Sequence, residues 1–165
     1  DSGGAHLNLA ATLYLRQEVG DASYIKALLL YYGCYGLIDS ASRRLLGGAW
    51  DGLTEEDWPF YIGNYAEDPV AIQNEPYFNL FLNDLSRDMP ACYIAAAEYD
   101  PLKDDSATLA AICEQYGTPC KYEVFKGTIH AFLHYTRVLD DANDALEHGA
   151  SFFREVCGMG LRGIN

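Results

Sequence analysis

The sequence is poor in basic residues, and this shortage argues against two classes of partner. Its 165 residues include 11 Lys and Arg against 24 Asp and Glu, which gives a formal net charge of −13. A nucleic-acid phosphate backbone is bound through a basic face, and anionic membranes attract basic segments. We therefore expect neither nucleic acid nor a membrane among the partners of this chain.

Long apolar runs and paired cysteine motifs are also lacking. Runs such as Ala27–Tyr32 are far shorter than the ~20 residues that a membrane-spanning helix needs. The first residues, Asp-Ser-Gly-Gly, do not resemble a signal peptide. The five cysteines are odd in number and form no CxxC pair, so we interpret them as small apolar residues of a reducing compartment. These features predict a cytoplasmic protein.

The hydrophobic pattern alternates between strands and helices. Half of the residues are hydrophobic, which suits one globular domain with a sizeable core. Three segments of strand length lie between segments with apolar residues at helical spacing, and the third strand alternates as an edge strand does. The predicted strands are Ile25–Tyr32, Ala91–Ala97 and Cys120–Phe125, and the predicted helices are Gly4–Glu18, Asp105–Tyr116 and Arg137–Val156. This order predicts an α/β fold with a mostly parallel sheet flanked by helices.

Residues 39–88 interrupt this alternation. The segment is too long for a connection between a strand and a helix, and it contains both tryptophans, Trp50 and Trp58. Thr54 to Asp57 resembles a helix-capping sequence. We divide the chain into a core of residues 1–38 and 89–165 and a helical, aromatic-rich insertion of residues 39–88. The insertion is interpreted as a lid or substrate pocket, with Tyr35 and the Trp50 region as lining; a packed subdomain without a pocket is the alternative.

The first four residues carry the most specific chemical signal. Ser2, followed by Gly3 and Gly4 before an apolar helix, matches the second half of a G-x-S-x-G nucleophile elbow. In such a turn the serine oxygen is exposed, and the N–H of Gly3 is a candidate donor to an oxyanion at the helix N-terminus. An ordinary helix N-cap explains the same residues locally.

Two further residues follow predicted strands directly. Asp100 comes after Ala91–Ala97, and His130 comes after Cys120–Phe125, so both are expected at the carboxyl edge of the sheet. The order Ser2, Asp100, His130 is the order of a nucleophile, acid and base in α/β hydrolases. A helix-capping carboxylate and a loop histidine are the separate alternatives. His134 lies four residues after His130, but no third ligand at a useful spacing supports a metal site.

At these residues the sequence resembles the hormone-sensitive-lipase-like group of α/β hydrolases, and within that group the bacterial acetyl esterases. The segments that carry the resemblance are 1–5, 32–37, 43–54, 98–105 and 127–135. The resemblance implies Ser2 as nucleophile, Asp100 as acid and His130 as base. It also implies a small-molecule substrate, a short-chain acyl ester, with no metal and no organic cofactor.

The resemblance also shows what these residues lack. The family has a His-Gly-Gly-Gly loop ahead of its nucleophile, and these 165 residues contain none. The first glycine of the elbow and the strand before it are absent as well. We therefore expect the C-terminal half of an α/β-hydrolase fold, with the N-terminal half of the same protein as its partner. An open sheet edge beside Ile25–Tyr32 favours association, including homo-oligomer formation.

Three functions are consistent with these observations. The leading hypothesis is a serine carboxylesterase that works through an acyl-enzyme intermediate, with this chain inactive by itself. A peptidase or lactonase on the same scaffold is a second hypothesis, since a fold does not fix a substrate. A non-catalytic acidic domain that binds a protein partner is the third.

Overall fold

A parallel sheet of three strands forms the centre of the molecule in the computed structural model, which describes residues 1–159. The strands are β1 (Ala27–Tyr31), β2 (Ala91–Tyr99) and β3 (Cys120–Ile129). They lie in the order β1-β2-β3, and both pairs are parallel. The predicted α/β arrangement is confirmed, and β3 is an edge strand, as its alternation indicated.

Five α-helices accompany the sheet in the described part of the chain. They are α1 (Ser2–Tyr14), α2 (Ala41–Leu45), α3 (Asp57–Tyr65), α4 (Lys103–Tyr116) and α5 (Asp140–Val156). A turn of π-helix, Leu15–Val19, extends α1, and 3-10 turns lie at Ala71–Asn74, Leu80–Leu82 and Phe132–Tyr135. Helix α4 ends at Gly117 in a left-handed conformation, the stop that the sequence predicted. The predicted start of α5 at Arg137 was too early, because Leu139 is extended (φ −128°, ψ 112°) and the helix begins at Asp140.

Alternate residues of the strands pack against helices on opposite faces of the sheet. Leu28, Leu30, Cys92 and Ile94 share one core cluster with residues of α1 and α4. The intervening Tyr31, Tyr93 and Ala95 belong to a second cluster with Ala142 and Ala145 of α5, and Leu29 packs against it. Because successive strand residues point to opposite faces, strands covered on both sides read as continuous apolar runs in the sequence. The interpretation of β1 and β2 as doubly covered strands is confirmed.

Residues 39–88 contain two short helices and irregular chain. Thr54 and Asp57 bond reciprocally at the start of α3: the Thr54 N–H donates to the Asp57 carboxylate (2.8 Å), and the Asp57 N–H donates to Thr54 Oγ1 (3.2 Å). This is the capping arrangement that the sequence predicted. The Leu80 N–H joins the segment to the chain that follows β1, since it donates to the Tyr35 carbonyl (2.8 Å). No helix of residues 1–159 has the length and apolar character needed to cross a membrane.

Candidate active site

The carboxyl ends of the three strands bring separate parts of the sequence together. Tyr32 follows β1, Asp100 follows β2 and His130 follows β3. Tyr99 and Ile129 are register partners in the parallel pair of β2 and β3. Asp100 and His130 therefore leave the sheet side by side, at the edge where α/β proteins build their sites.

The structure brings the three predicted site residues into one hydrogen-bonded row. Ser2 Oγ lies 3.0 Å from His130 Nε2, and His130 Nδ1 lies 2.9 Å from Asp100 Oδ2. An ionised carboxylate only accepts, so the Nδ1–H donates to Asp100 and Nε2 is left to accept the Ser2 proton. The geometry therefore selects the tautomer that a general base requires.

Both members of the His–Asp pair are buried and held from a second direction. Asp100 is fully buried, and its Oδ1 accepts the N–H of Leu102 (2.8 Å). His130 is 6% exposed, and its backbone N–H donates to the Asp51 carbonyl (3.1 Å). Burial away from water strengthens the ion–dipole contacts of this pair.

The backbone of the 39–88 segment approaches His130 closely at Gly52. A Cβ atom on Gly52 would lie 2.6 Å from the His130 carbonyl oxygen, and the φ of Gly52 is +76°. Both the contact and the left-handed conformation require glycine at this position. The segment therefore holds the main chain of His130 through Asp51 and Gly52.

Ser2 occupies a strained conformation at the start of α1. Its φ is +44°, in the left-handed region that residues with a Cβ rarely adopt. The first N–H groups of a helix have no partner within the helix, so the N–H of Gly3 is free for an anion near the serine oxygen. Gly3 also lines the cleft above Ser2. Ser2 is thus both the residue predicted for the nucleophile elbow and the first residue of α1.

A cleft of about 690 Å³ opens above the row of Ser2 and His130. Its lining is mostly apolar and rich in aromatic rings, several of them from residues 39–88: Trp58, Tyr61, Tyr65 and Phe78, together with Tyr32 and Tyr135. A concave, apolar cavity with a few polar groups at its floor is typical of small-molecule sites.

The predicted lining was wrong for Tyr35 and only partly right for the Trp50 region. Tyr35 is completely buried in the core beside α1. Gly52 and Leu53 of the Trp50 region line the cleft, but Trp50 itself is 88% exposed and lies outside it. Trp58 lines the cleft in place of Trp50. Composition showed that the segment is aromatic, but the local chain path decides which ring points inward.

Sequence reasoning missed Tyr32, which directly follows β1 and contacts the site. Its ring meets the His130 ring edge-on at 5.1 Å, and its hydroxyl donates to Asp1 Oδ2 (3.1 Å). His134 Nε2 lies 3.5 Å from the same carboxylate oxygen. The sequence did carry a signal for Tyr32, because this residue follows its strand as Asp100 and His130 follow theirs.

Metal binding finds no support among the described residues. Within residues 1–159, no group of three or more His, Cys, Asp or Glu side chains has an arrangement that could hold an ion. All five cysteines are free thiols; Cys92 and Cys113 are buried in the core, as the sequence indicated, and Cys34 borders the cleft.

A second histidine, His6 on α1, borders the cleft and is buried. Its Nε2–H donates to the Phe78 carbonyl (2.9 Å). Burial lowers the pKa of His6 below 6.5, and the bond to Phe78 and the charge of Asp105 offset that effect only in part. Burial therefore favours the neutral imidazole, and the bond to Phe78 ties α1 to the wall of the cleft.

Acid should destabilise the fold through His6. Because the pKa of His6 is lower in the folded state, the unfolded chain binds the proton more tightly, and stability is lost as the pH falls below about 6.5. We expect the thermal unfolding midpoint to fall less between pH 7.5 and pH 5.5 in His6→Gln than in the unaltered chain. His134→Gln, which alters an exposed imidazole of the same cleft, is the control. Identical pH slopes for His6→Gln and the unaltered chain would contradict this expectation.

Comparison with known proteins gives a family and several relatives. A family profile described as alpha/beta hydrolase fold matches residues 1–134. An acetyl esterase of Salmonella paratyphi A is 50% identical over 153 residues, which are 93% of this chain and 47% of that protein. An acetyl esterase of Salmonella typhi matches to the same extent. The chain spans about half the length of these curated relatives.

Solved structures show the same fold. An esterase of Pyrobaculum calidifontis superposes with a TM-score of 0.83 at 25% identity, over 92% of this chain and 50% of that chain. A thermostable carboxylesterase from a metagenomic library superposes with a TM-score of 0.86 at 23% identity, over 94% of this chain and 53% of that chain. The predicted fold class, part of an α/β-hydrolase fold, is confirmed.

Proposed function

Because the chain belongs to the α/β-hydrolase fold family, we propose that it supplies the nucleophile, base and acid of a serine carboxylesterase acting on short-chain acyl esters. The observation that carries the proposal is the continuous row of hydrogen bonds from Ser2 through His130 to Asp100 beneath an aromatic cleft. Acetyl esterases among its relatives support the reaction class.

Acylation is the first half of the proposed reaction. The Ser2 oxygen attacks the ester carbonyl carbon while its proton passes to His130 Nε2. The tetrahedral intermediate then collapses: the bond to the alcohol oxygen breaks, and His130 returns the proton to that oxygen. The alcohol leaves, and the acyl group stays on Ser2.

Deacylation repeats these steps with water. Water attacks the acyl carbon and gives a proton to His130, the bond to Ser2 Oγ breaks, and the proton returns to Ser2 as the carboxylic acid leaves. Asp100 stays ionised throughout and stabilises the imidazolium that forms twice per cycle. Gly3 supplies one N–H to the negative oxygen of each intermediate.

The proposed oxyanion site is incomplete in this chain. One N–H donor comes from Gly3, and the 165 residues contain no His-Gly-Gly-Gly segment to supply others. Removal of one oxyanion donor costs roughly 10²–10³ in kcat in serine hydrolases. The N-terminal half of the same protein is the proposed partner, and the edge of β1 not paired with β2 is where it adds strands.

We expect the isolated 165-residue chain to be inactive towards p-nitrophenyl acetate. A fusion protein, in which the part of the Salmonella paratyphi A acetyl esterase preceding the matched region is joined to Asp1, should hydrolyse that ester. The measurement is release of p-nitrophenolate by both purified proteins at equal concentration. Turnover by the isolated chain would overturn the expectation about the fragment.

A fluorophosphonate probe separates an esterase from a protein-binding domain on the same scaffold. The probe phosphonylates an activated serine, so mass spectrometry of the fusion protein should find the adduct on Ser2. A fusion protein that folds and is neither labelled nor active leaves the non-catalytic domain as the better hypothesis.

The free thiols of the described residues are consistent with a proposed cytoplasmic location.

A further inference from the structure

Behind the cleft, a buried carboxylate organises the chain that follows β1. Asp105 on α4 is completely buried. Its Oδ1 accepts three backbone N–H groups, those of Tyr35 (2.7 Å), Gly36 (3.0 Å) and Leu37 (3.2 Å). Its Oδ2 accepts a guanidinium N–H of Arg43 (3.0 Å). A carboxylate with this many donors is held in one orientation, so it is a fixed anchor for Arg43.

Arg43 connects this anchor to the cleft. Its side chain is 12% exposed, and its guanidinium lies over the Trp58 ring, 4.4 Å from the ring centroid. Its Nε is buried and has no hydrogen-bond partner within residues 1–159. The guanidinium is thus held by the ion pair with Asp105 on one side and by the stack on the Trp58 ring on the other.

Helix α3, which carries Trp58, is otherwise weakly attached. It is nine residues long, and Ile62 is its one buried residue. Phe60, Tyr61 and Tyr65 of the same helix are more than half exposed. A helix with so little burial gains little positional order from packing, so a specific contact must fix its inward-facing ring.

We propose that Arg43, anchored by Asp105, is a positioning residue that fixes Trp58 as a wall of the ester-binding cleft. The inference rests on the proposed function for its consequence in catalysis, but not for the contact itself. Among residues 1–159, no hydrogen bond joins Arg43 to Ser2, His130 or Asp100. Arg43 acts through Trp58 on substrate binding and leaves the proton transfers unchanged.

The first test follows Trp58 directly in the 165-residue chain. Trp50→Phe removes the second, exposed tryptophan, so emission then reports Trp58 alone. In that background Arg43→Gln should move the emission to longer wavelength and raise the acrylamide quenching constant about twofold, because the guanidinium no longer covers the ring. Arg43→Lys keeps the positive charge but loses the planar group that stacks on the ring. Its quenching constant should therefore lie between that of Trp50→Phe alone and that of Trp50→Phe with Arg43→Gln.

Arg44→Gln is the matched control, since Arg44 is the next residue of α2, is exposed and pairs with Asp39. It should leave the Trp58 emission and quenching unchanged. Far-UV circular dichroism and thermal unfolding identify variants that fail to fold. If Arg43→Gln fails, Arg43→Lys decides the question. Unchanged quenching in a folded Arg43 variant would overturn the inference.

The second test uses the fusion protein and separates binding from chemistry. Arg43→Gln should raise KM for p-nitrophenyl acetate about tenfold and change kcat less than threefold, the pattern of lost binding that is shared by ground and transition states. Arg44→Gln should change neither constant. A fall in kcat at constant KM in Arg43→Gln would overturn the positioning role. If the unaltered fusion protein is inactive, the proposed function fails, and the fluorescence test still decides the contact.

Discussion

Ser2→Ala in the fusion protein should lower kcat for p-nitrophenyl acetate by about 10⁴–10⁶-fold, with KM nearly unchanged. The substitution removes the one oxygen that lies 3.0 Å from His130 Nε2. Loss of the nucleophile in serine hydrolases leaves the residual rate given by binding and the oxyanion site, so the effect is among the largest that one atom produces. Steady-state release of p-nitrophenolate measures it.

Two controls distinguish lost chemistry from lost structure. Ser151→Ala removes an exposed hydroxyl of α5, far along the chain from the site, and should keep full activity. Ser2→Ala should also leave the thermal unfolding midpoint nearly unchanged, because alanine keeps the Cβ and therefore carries the same backbone strain at φ +44°. Activity of Ser2→Ala within tenfold of the unaltered fusion protein would remove Ser2 from the proposed mechanism.

Asp100→Asn should lower kcat by roughly 10⁴-fold with little change in KM. The amide can donate to His130 Nδ1, which favours the tautomer with the proton on Nε2, and that nitrogen then cannot accept the Ser2 proton. The side chain keeps its size, so the Leu102 N–H still finds an acceptor. The measurement is the full pH–rate profile, because a wrong tautomer lowers the rate across the neutral range.

Asp104→Asn is the matched control for this result. Asp104 lies four residues further along and its carboxylate accepts the Ser42 N–H (2.8 Å), away from the imidazole. An amide oxygen can still accept that bond, so kcat should change less than about threefold. Equal losses in Asp100→Asn and Asp104→Asn would indicate a general effect on this end of β2 and would contradict the assigned role of Asp100.

The centre of the sheet was predictable because β1 and β2 are covered on both faces. Ala91–Ala97 reads as an unbroken apolar run, and it forms most of β2 with every one of those residues buried. The edge position of β3 followed from its alternation. The proximity of Asp100 and His130 followed from the same argument, since parallel strands end at one edge.

Residues 39–88 were less predictable in detail. Their composition indicated aromatic lining, and rings from the segment do line the cleft. The choice between Trp50 and Trp58 depends on where α3 begins and on the guanidinium of Arg43 that covers one of them. The contact joins Arg43 and Trp58, whose separation in the sequence follows neither a helix nor a strand repeat. Tyr32 beside His130 is a different case, because its place directly after β1 was a signal in the sequence.

By itself, the sequence determined the order of the chemical groups: a serine before a helix, then an acid after an apolar strand and a histidine after an alternating strand. Hydrophobic periodicity and the ends of strands are local properties of the sequence. Strands buried on both faces are easy to recognise because they are continuous apolar runs. Only the tertiary structure decided the distances among Ser2, His130 and Asp100, the glycine contact at residue 52 and the ring that faces the cleft. Those depend on register and on close approaches between distant segments, which no local pattern encodes.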